Sequence, residues 1–336
     1  MSKHTVALIG FGYWGPNVAR NWNNNKRVKL KYICDLKKDR LAAVQLQYPY
    51  TEAINDYNKA LEDKEVNIVS IATPIKTHYQ VALDALLAGK HVLVEKPITT
   101  IVAEAEHLQQ VASQNNLTIM VGHTFLYSPP VLKIKQYLED GIIGELDFIQ
   151  LTRINLGRVK HDFNVIWDLA PHDFSILHYL LDKSPSSIQV MGKASTFKQV
   201  CDVAFINLKY PNDLLVNIHL SWISPVKLRQ SYIVGKKRMV VYDDTHPTDK
   251  IRLYDMGIDV KDPDSFGEFQ LSYRSGEMII PRLDAVEPLA AECDHFIDCV
   301  DSSSTPRSSI HHAIEIVKMI EAAQESLSSD GKVVNL

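Results

Sequence analysis

The sequence predicts an α/β domain with a doubly wound parallel sheet over residues 1–123. An α+β domain over 124–336 follows, built on a large open, mainly antiparallel sheet. Three observations predict this. Strand-like and helix-like segments alternate through the first third, the pattern of parallel strands joined by right-handed crossovers. A Gly-x-Gly-x-x-Gly run, Gly10 to Gly15, lies between the first strand and the first helix. Beyond residue 124 the strands come in runs, several with alternating polar and apolar residues, as an open sheet with one covered face requires.

Taken in order, Thr5–Ile9 is the first strand and Asn17–Trp22 lies in the first helix, with Pro16 at a position where its missing N–H costs nothing. Leu30–Cys34 is a strand, Leu36–Gln47 a helix, and Ala53-Ile54 leads to a short helix, Tyr57–Glu62. Ile68–Ala72 is continuously apolar, as a strand covered on both faces should be. The helix His78–Ala88 ends at Gly89, a good C′ residue. His91–Val94 is another buried strand, Ile101–Asn115 carries helical spacing, and Leu117–Val121 closes the unit.

The second region opens with Pro129-Pro130 and a helix, Val131–Asp140, ended by Gly141. Strands are predicted at Asp147–Asn155, Ser187–Thr196, Val203–Tyr210, Leu214–Trp222, Arg229–Val234 and Arg238–Asp243, with a largely helical stretch, Asn164–Leu181, after the first. The segment Asp244–Arg282, rich in Asp, Gly and Pro, reads as irregular structure, and Glu287–Asp301 and Ile310–Leu327 as closing helices.

Composition narrows the function classes. The 336 residues carry a net charge of −4, so no electrostatic case exists for nucleic-acid or membrane binding. Cys34, Cys201, Cys293 and Cys299 lack metal-site spacing and read as reduced, buried thiols. His311-His312 read as partly exposed polar residues, and no metal site is expected. No leader pattern opens the chain and no apolar run approaches the roughly 18 residues of a membrane span, so a cytoplasmic protein is expected.

The glycine run has the context of a dinucleotide site. Gly10 permits a tight turn, Gly12 lets backbone approach a pyrophosphate, and Gly15 allows close helix–strand packing. Phe11, Tyr13 and Trp14 complete the loop, and the helix N-terminus offers N–H groups to phosphates. Asp35, twenty residues beyond Gly15, would accept from adenosine ribose hydroxyls and repel a 2′-phosphate, which favours NAD over NADP. Lys37 and Lys38 nearby leave room for NADP.

Glu95-Lys96-Pro97 follows a predicted strand directly, where open α/β sheets bind ligands; a surface ion pair is the alternative. In Trp167-Asp168-Leu169-Ala170-Pro171-His172-Asp173, a carboxylate and an imidazole lie four residues apart, the spacing of a general base and its orienting acid. Pro171 predicts that the helix begins at His172, with Asp168 just ahead of it; a capping Asp and a structural His is the alternative. Oxidising a secondary alcohol needs a base for the hydroxyl proton and a group to steady charge on oxygen. His172 and Lys96 suit those tasks and come from different predicted domains.

The fingerprint, Ala72-Thr73-Pro74 with His78, Glu95-Lys96-Pro97, Gly122-His123 and the Asp168/His172 pair resemble, in this order, the Gfo/Idh/MocA-type oxidoreductases. The resemblance covers nearly the whole chain. It implies an N-terminal Rossmann domain and a C-terminal sheet that often serves as an oligomer interface, hence a homo-oligomer, dimer or tetramer. By this resemblance Thr73, Pro74, His78 and His123 line the dinucleotide and Glu95 contacts the nicotinamide ribose. Lys96 binds substrate and assists proton transfer, His172 is the acid/base, and Asp168 orients substrate or the histidine. The stretches Gly12–Asn17, Gly122–Phe125, Trp167–Asp173 and Glu287–Leu289 are similar to the branch that oxidises the C3 hydroxyl of UDP-N-acetylglucosamine or its uronic acid. Arg153, Asn155, Arg158 and Asn164 are offered as ligands for such a nucleotide sugar; strand-end residues facing solvent is the other reading of the first three. A free sugar or inositol, and a regulator that binds a dinucleotide without catalysis, are the competing functions.

Overall fold

The structure is a computed structural model, and it describes residues 3–157, 163–260 and 271–336. The chain divides into two compact units: Met1–Ser128 with Val286–Lys318, and Pro129–Ala285 with Met319–Leu336.

Unit one contains β1 (His4–Ile9), α1 (Gly15–Asn24), β2 (Val28–Cys34), α2 (Lys38–Gln47), β3 (Glu52–Ile54), α3 (Asn58–Glu62) and β4 (Ile68–Ile71). These are followed by α4 (His78–Leu87), β5 (His91–Glu95), α5 (Val102–Gln114) and β6 (Ile119–Gly122). The six strands form one sheet in the order β3-β2-β1-β4-β5-β6, with every neighbouring pair parallel. That is the predicted doubly wound sheet, and its chain order reverses between β1 and β4. Ala7, Ile9, Val69, Ile71, Val92 and Val94 bury one face against Val81, Ala85, Leu108 and Val111 of α4 and α5. The alternate residues Val6, Leu8, Ile68 and Leu93 point the other way and are equally buried.

Unit two begins with α6 (Pro129–Glu139), β7 (Leu146–Leu156), α7 (Val165–Leu181), β8 (Ser187–Lys193), β9 (Val203–Lys209), β10 (Leu215–Ser221), β11 (Ile223–Gly235) and β12 (Met239–Asp243). Next in chain order come β13 (Ile251–Val260) and β14 (Leu271–Ile279) of unit two, α8 (Pro288–Ser302) and the first half of α9 (Ile310–Ser328), which belong to unit one, and then the end of α9 and β15 (Val334–Asn335), again in unit two. The nine strands β7 to β15 form a sheet ordered β14-β13-β12-β11-β7-β10-β9-β8-β15, antiparallel except for the β7–β10 pair. Its strands alternate: Val216, Ile218 and Leu220 are buried, while Leu215, Phe205, Phe148 and Met191 are exposed. These four large apolar side chains include two cross-strand pairs, Leu215–Phe148 and Met191–Phe205.

Three expectations are corrected. The segment 244–282 is not wholly irregular, because β13 and β14 inside it pair antiparallel, with 261–270 outside the described residues. Its Asp and Gly content misled: Asp255 is paired with Arg274 on β14 and with Arg238 just ahead of β12, so a residue poor in strand propensity is satisfied by its neighbours. The helix around Pro171 begins at Val165, with Pro171 inside it. Asn164 starts it by accepting hydrogen bonds from the Ile166 and Trp167 N–H groups, a cap typically worth about 1 kcal/mol. His312 is buried at 6% exposure, its ring edge-on to His123 at 5.3 Å.

The expected division at 123/124 differs from the observed units. Residues 286–318 return to unit one because the apolar faces of α8 and early α9 need cover: Ile310, Ala313, Ile314 and Val317 join the core of the parallel sheet. Among the described residues no helix is long and apolar enough to cross a membrane, and no cluster of His, Cys, Asp and Glu could hold a metal ion.

Candidate active site

In unit one the glycine loop joins the carboxyl end of β1 to α1, beside the end of β4, at the point where the strand order reverses and open α/β sheets bind ligands. Gly10 has φ +101°, and a Cβ there would stand 2.6 Å from the carbonyl carbon and oxygen of Ala72. Only glycine lets the ends of β1 and β4 meet this closely. A Cβ on Gly15 would stand 2.5 Å from the Gly10 carbonyl oxygen, so the third glycine seats α1 on the turn itself. Gly12 differs: a Cβ there would meet only the Arg40 guanidinium, at 3.5 Å. Its bareness is not needed for internal packing, which fits a backbone that a ligand approaches. No side chain caps the N-terminus of α1, as an anion-binding terminus requires. Phe11 is buried, and Tyr13 and Trp14 are exposed.

Asp35 closes the loop from β2. One carboxylate oxygen accepts from the Lys37 N–H at 2.9 Å, and the other from the Phe11 N–H at 2.8 Å and Arg40 Nη1 at 3.0 Å. Burial pushes its pKa up, but these hydrogen bonds and the Arg40 charge outweigh burial and hold it below the usual value. Arg40 was missed in the sequence, where Lys37 and Lys38 drew attention. It touches both the acid and the open side of Gly12, so it is the cation best placed to meet a charged ligand there.

The other expected cofactor residues of unit one take distinct places. Thr73 Oγ1 accepts from Thr77 Oγ1 at 2.8 Å. His78 is buried, with its two ring nitrogens 2.8 Å from the carbonyls of Pro97 and Thr73, so it ties the segment after β5 to the segment after β4. Burial lowers its pKa against the pull of both carbonyls. A neutral ring has one N–H and donates to one of them at a time. Thus His78 clamps together the segments that carry Pro74 and Lys96. His123 is buried against His312.

Glu95 and Lys96 stand at the carboxyl end of β5. The Glu95 carboxyl lies on the bare backbone of Gly122, where a Cβ would come within 3.2 Å of its Cδ and both oxygens, and it accepts from Trp14 Nε1 at 2.7 Å. Burial pushes Glu95 up to about 7, opposed by the Lys96 charge and the Trp14 hydrogen bond.

In unit two, α7 carries Asp168 and His172 one turn apart on a partly exposed face, while Ala170, Pro171, Asp173 and Phe174 are buried. The uninterrupted helix brings the carboxylate and the imidazole onto one side. Asp168 Oδ2 accepts from Trp222 Nε1 at 3.1 Å. Asp173, the neighbour of His172, holds α7 to β7 through the buried Arg153, whose Nε and Nη2 donate to it at 2.7–3.0 Å. Breaking such a buried pair typically costs about 3–5 kcal/mol.

Arg153, offered from sequence as a substrate ligand, therefore spends its fork inside the unit. Asn164 has its side-chain oxygen in the helix cap and its amide on Gln324. Asn155 is half-buried, close to Gly157 at the end of β7. Arg158 lies outside the described residues. Trp222, the last residue of a predicted strand, brings its indole to Asp168, a pairing that no sequence signal marks.

Comparison with known proteins agrees with the two-domain fold. The family model described as "Oxidoreductase family, NAD-binding Rossmann fold" (GFO_IDH_MocA) matches residues 4–123, and the Gfo/Idh/MocA C-terminal domain matches 131–241. The chain is 29% identical over 180 residues to the UDP-N-acetylglucosamine 3-dehydrogenase of Acidithiobacillus ferrooxidans, covering 53% of this chain and 56% of that protein. A myo-inositol 2-dehydrogenase of Thermotoga maritima is 21% identical over 220 residues, covering 62% and 66%. A solved structure of the Acidithiobacillus enzyme superposes with a TM-score of 0.82 at 23% identity, over 97% of this chain and 98% of that one, which is a likeness of fold.

The glycine geometry makes a paired prediction. Gly10→Ala should destabilise the protein by about 2 kcal/mol or more, from the clash with Ala72 and a φ that alanine resists. Gly12→Ala should stay within about 1 kcal/mol of the parent in chemical denaturation while weakening dinucleotide binding at least about tenfold. Equal effects on both measures would contradict this division of labour.

Proposed function

The chain belongs to the Gfo/Idh/MocA oxidoreductase family, and on that premise we propose that it is an NAD-dependent dehydrogenase of a UDP-linked N-acetyl amino sugar or its uronic acid, oxidising the C3 hydroxyl to a ketone. The observation that carries the catalytic part is the placement of Asp168 and His172 on one face of α7. The nucleotide-sugar part rests on the similarity to a UDP-N-acetylglucosamine 3-dehydrogenase.

The dinucleotide, when bound, supplies the hydride acceptor. His172 takes the proton of the reacting hydroxyl, and Asp168 holds the ring in the tautomer that accepts it and steadies the imidazolium that results. Lys96 donates to the reacting oxygen and offsets the negative charge that grows on it. Glu95 meets the ribose, and the loop Gly10 to Gly15 with the free end of α1 receives the pyrophosphate. With Arg153 engaged by Asp173, contacts to a sugar diphosphate fall to Asn155 and Arg158. Arg153 and Asn164, two of the four residues offered for that task, make internal hydrogen bonds instead, so inositol or a free sugar stands as the second reading.

Lys96→Ala and His172→Ala should each lower turnover by about 10²–10⁴ while leaving NAD affinity within about threefold of the parent, below the tenfold that 1.4 kcal/mol represents. NAD reduction should appear with UDP-N-acetylglucosamine or its uronate. Activity confined to inositol or free sugars would overturn the nucleotide-sugar reading, and full turnover in either variant would overturn the roles.

For the cofactor, ionised Asp35 at the end of β2 favours an unphosphorylated ribose, with Arg40 as the opposing influence. NAD should bind tighter than NADP by about tenfold or more, and Arg40→Gln should widen the ratio. Calorimetric dissociation constants decide it, and tighter NADP binding would refute the preference. The expected homo-oligomer would bury the exposed sheet residues Phe148, Phe205, Met191 and Leu215; light scattering should return a dimer or tetramer, and a monomer would refute it.

A further inference from the structure

A glutamate with no role so far lies inside unit one. Glu292, on α8, occupies an apolar-face position between Leu289, Cys293 and Phe296, and is 1% exposed. Its Oε2 accepts from Thr124 Oγ1 at 2.8 Å, and its Oε1 is buried with no hydrogen-bond partner among the described residues. No ion pair with Glu292 is present among the described residues, and the charged neighbour acting on it is Glu95. The two carboxyls meet one short stretch of chain: Glu95 rests on the Gly122 backbone, and Glu292 accepts from the Thr124 hydroxyl.

Of the titratable groups on the elements packed here, Arg307 lies over the Tyr127 ring and donates to the Leu126 carbonyl, and His295 of α8 accepts from the Arg307 N–H. Tyr127, buried and hydrogen-bonded to Ser308, and the buried Cys293 are neutral at ordinary pH, since the surroundings of each push its pKa up. From α1, Arg20 and Asn21 bind Glu287, not Glu292. Glu95, with Lys96 beside it, is the acid that ionises near neutrality.

A buried carboxylate with one donor, no cation and an orphan oxygen is costly, whereas the neutral acid is not. We propose that Glu292 is a positioning residue that keeps its proton while Glu95 ionises, so that the two carboxyls carry one negative charge between them opposite Lys96. Burial first, and then the Glu95 charge, push Glu292 well above the ordinary carboxyl range, in agreement with the geometry. The pair thus sets the charge at the carboxyl end of β5, and does so whatever the substrate.

The sign of the test follows from linkage. Folded Glu292 holds a proton that the unfolded chain releases above its ordinary value of 4.5. The parent therefore loses stability, relative to a neutral variant, as pH rises from there to the pH at which the folded group ionises. Glu292→Gln in the full chain without ligand should melt progressively higher than the parent between pH 5 and pH 8, by about 5 °C or more at the upper end. Glu292→Met, a second neutral residue of similar volume, should show the same widening. A flat difference, or one that grows in the parent's favour, would overturn the proposal.

Communication between the carboxyls has its own measure. In a Glu95→Gln background the widening should level off at lower pH, because the charge that helps retain the proton is gone; superimposable curves would mean two independent acids and would also overturn it. Trp14 donates to Glu95 and reports its ionisation, read as the emission lost in Trp14→Phe. Its midpoint, near pH 7 in the parent, should move by less than about half a unit in Glu292→Gln, since one neutral group replaces another. A fall of a full unit would show that Glu292 had been a charge.

Discussion

The contact between Gly10 and Ala72 governs unit one. The chain order of the parallel sheet reverses between β1 and β4, and the two strand ends come together where a side chain on residue 10 would collide with backbone. From that approach the rest follows in steps. The turn at Gly10 aims the loop outward, and Gly15 seats α1 against the turn. The Phe11 N–H is then delivered to Asp35, and that bond together with Arg40 keeps the acid ionised at the open side of Gly12. Each step is a close backbone contact or a hydrogen bond to the buried Asp35, so error in one is passed to the next.

Unit two solves a different problem, the placing of a helix face. Asp168 and His172 stay partly open because their neighbours are held down: Asn164 caps the helix, Pro171 and Phe174 are buried, and Asp173 is clamped by Arg153. The buried ion pair is the firmest of these. It converts the residue after the histidine into an anchor, and the helix rotation it sets is the one that exposes positions 168 and 172. Trp222, from the end of β10, then fixes one oxygen of Asp168.

Much of this was readable along the chain, for identifiable reasons. Parallel strands covered on both faces read as unbroken apolar runs, so β4 and β5 were plain. The glycine turn and the acid after β2 were plain because each demands a residue type that few other constraints select. Reading failed where a partner distant in sequence altered the meaning of a residue. Asp255 looked like a loop residue until Arg238 and Arg274 neutralised it within the sheet. Arg153 looked available until Asp173, twenty positions on, proved to be its partner. Pro171 looked like a helix start, yet a cap seven residues earlier outweighed it.

By itself the sequence determined the order of strands and helices, the turn at Gly10, the identity of the dinucleotide loop and the acid–imidazole spacing. All of these depend on residues near one another, through local sterics, periodicity and capping chemistry. Tertiary structure alone decided that 286–318 belong with the parallel sheet, that Arg153 is an internal clamp, that Arg40 guards the open side of Gly12, and that Glu292 lies behind Glu95. Those outcomes depend on burial and on charges brought close by folding. A lone glutamate on an apolar helix face is the one trace that such a neighbour leaves in the sequence.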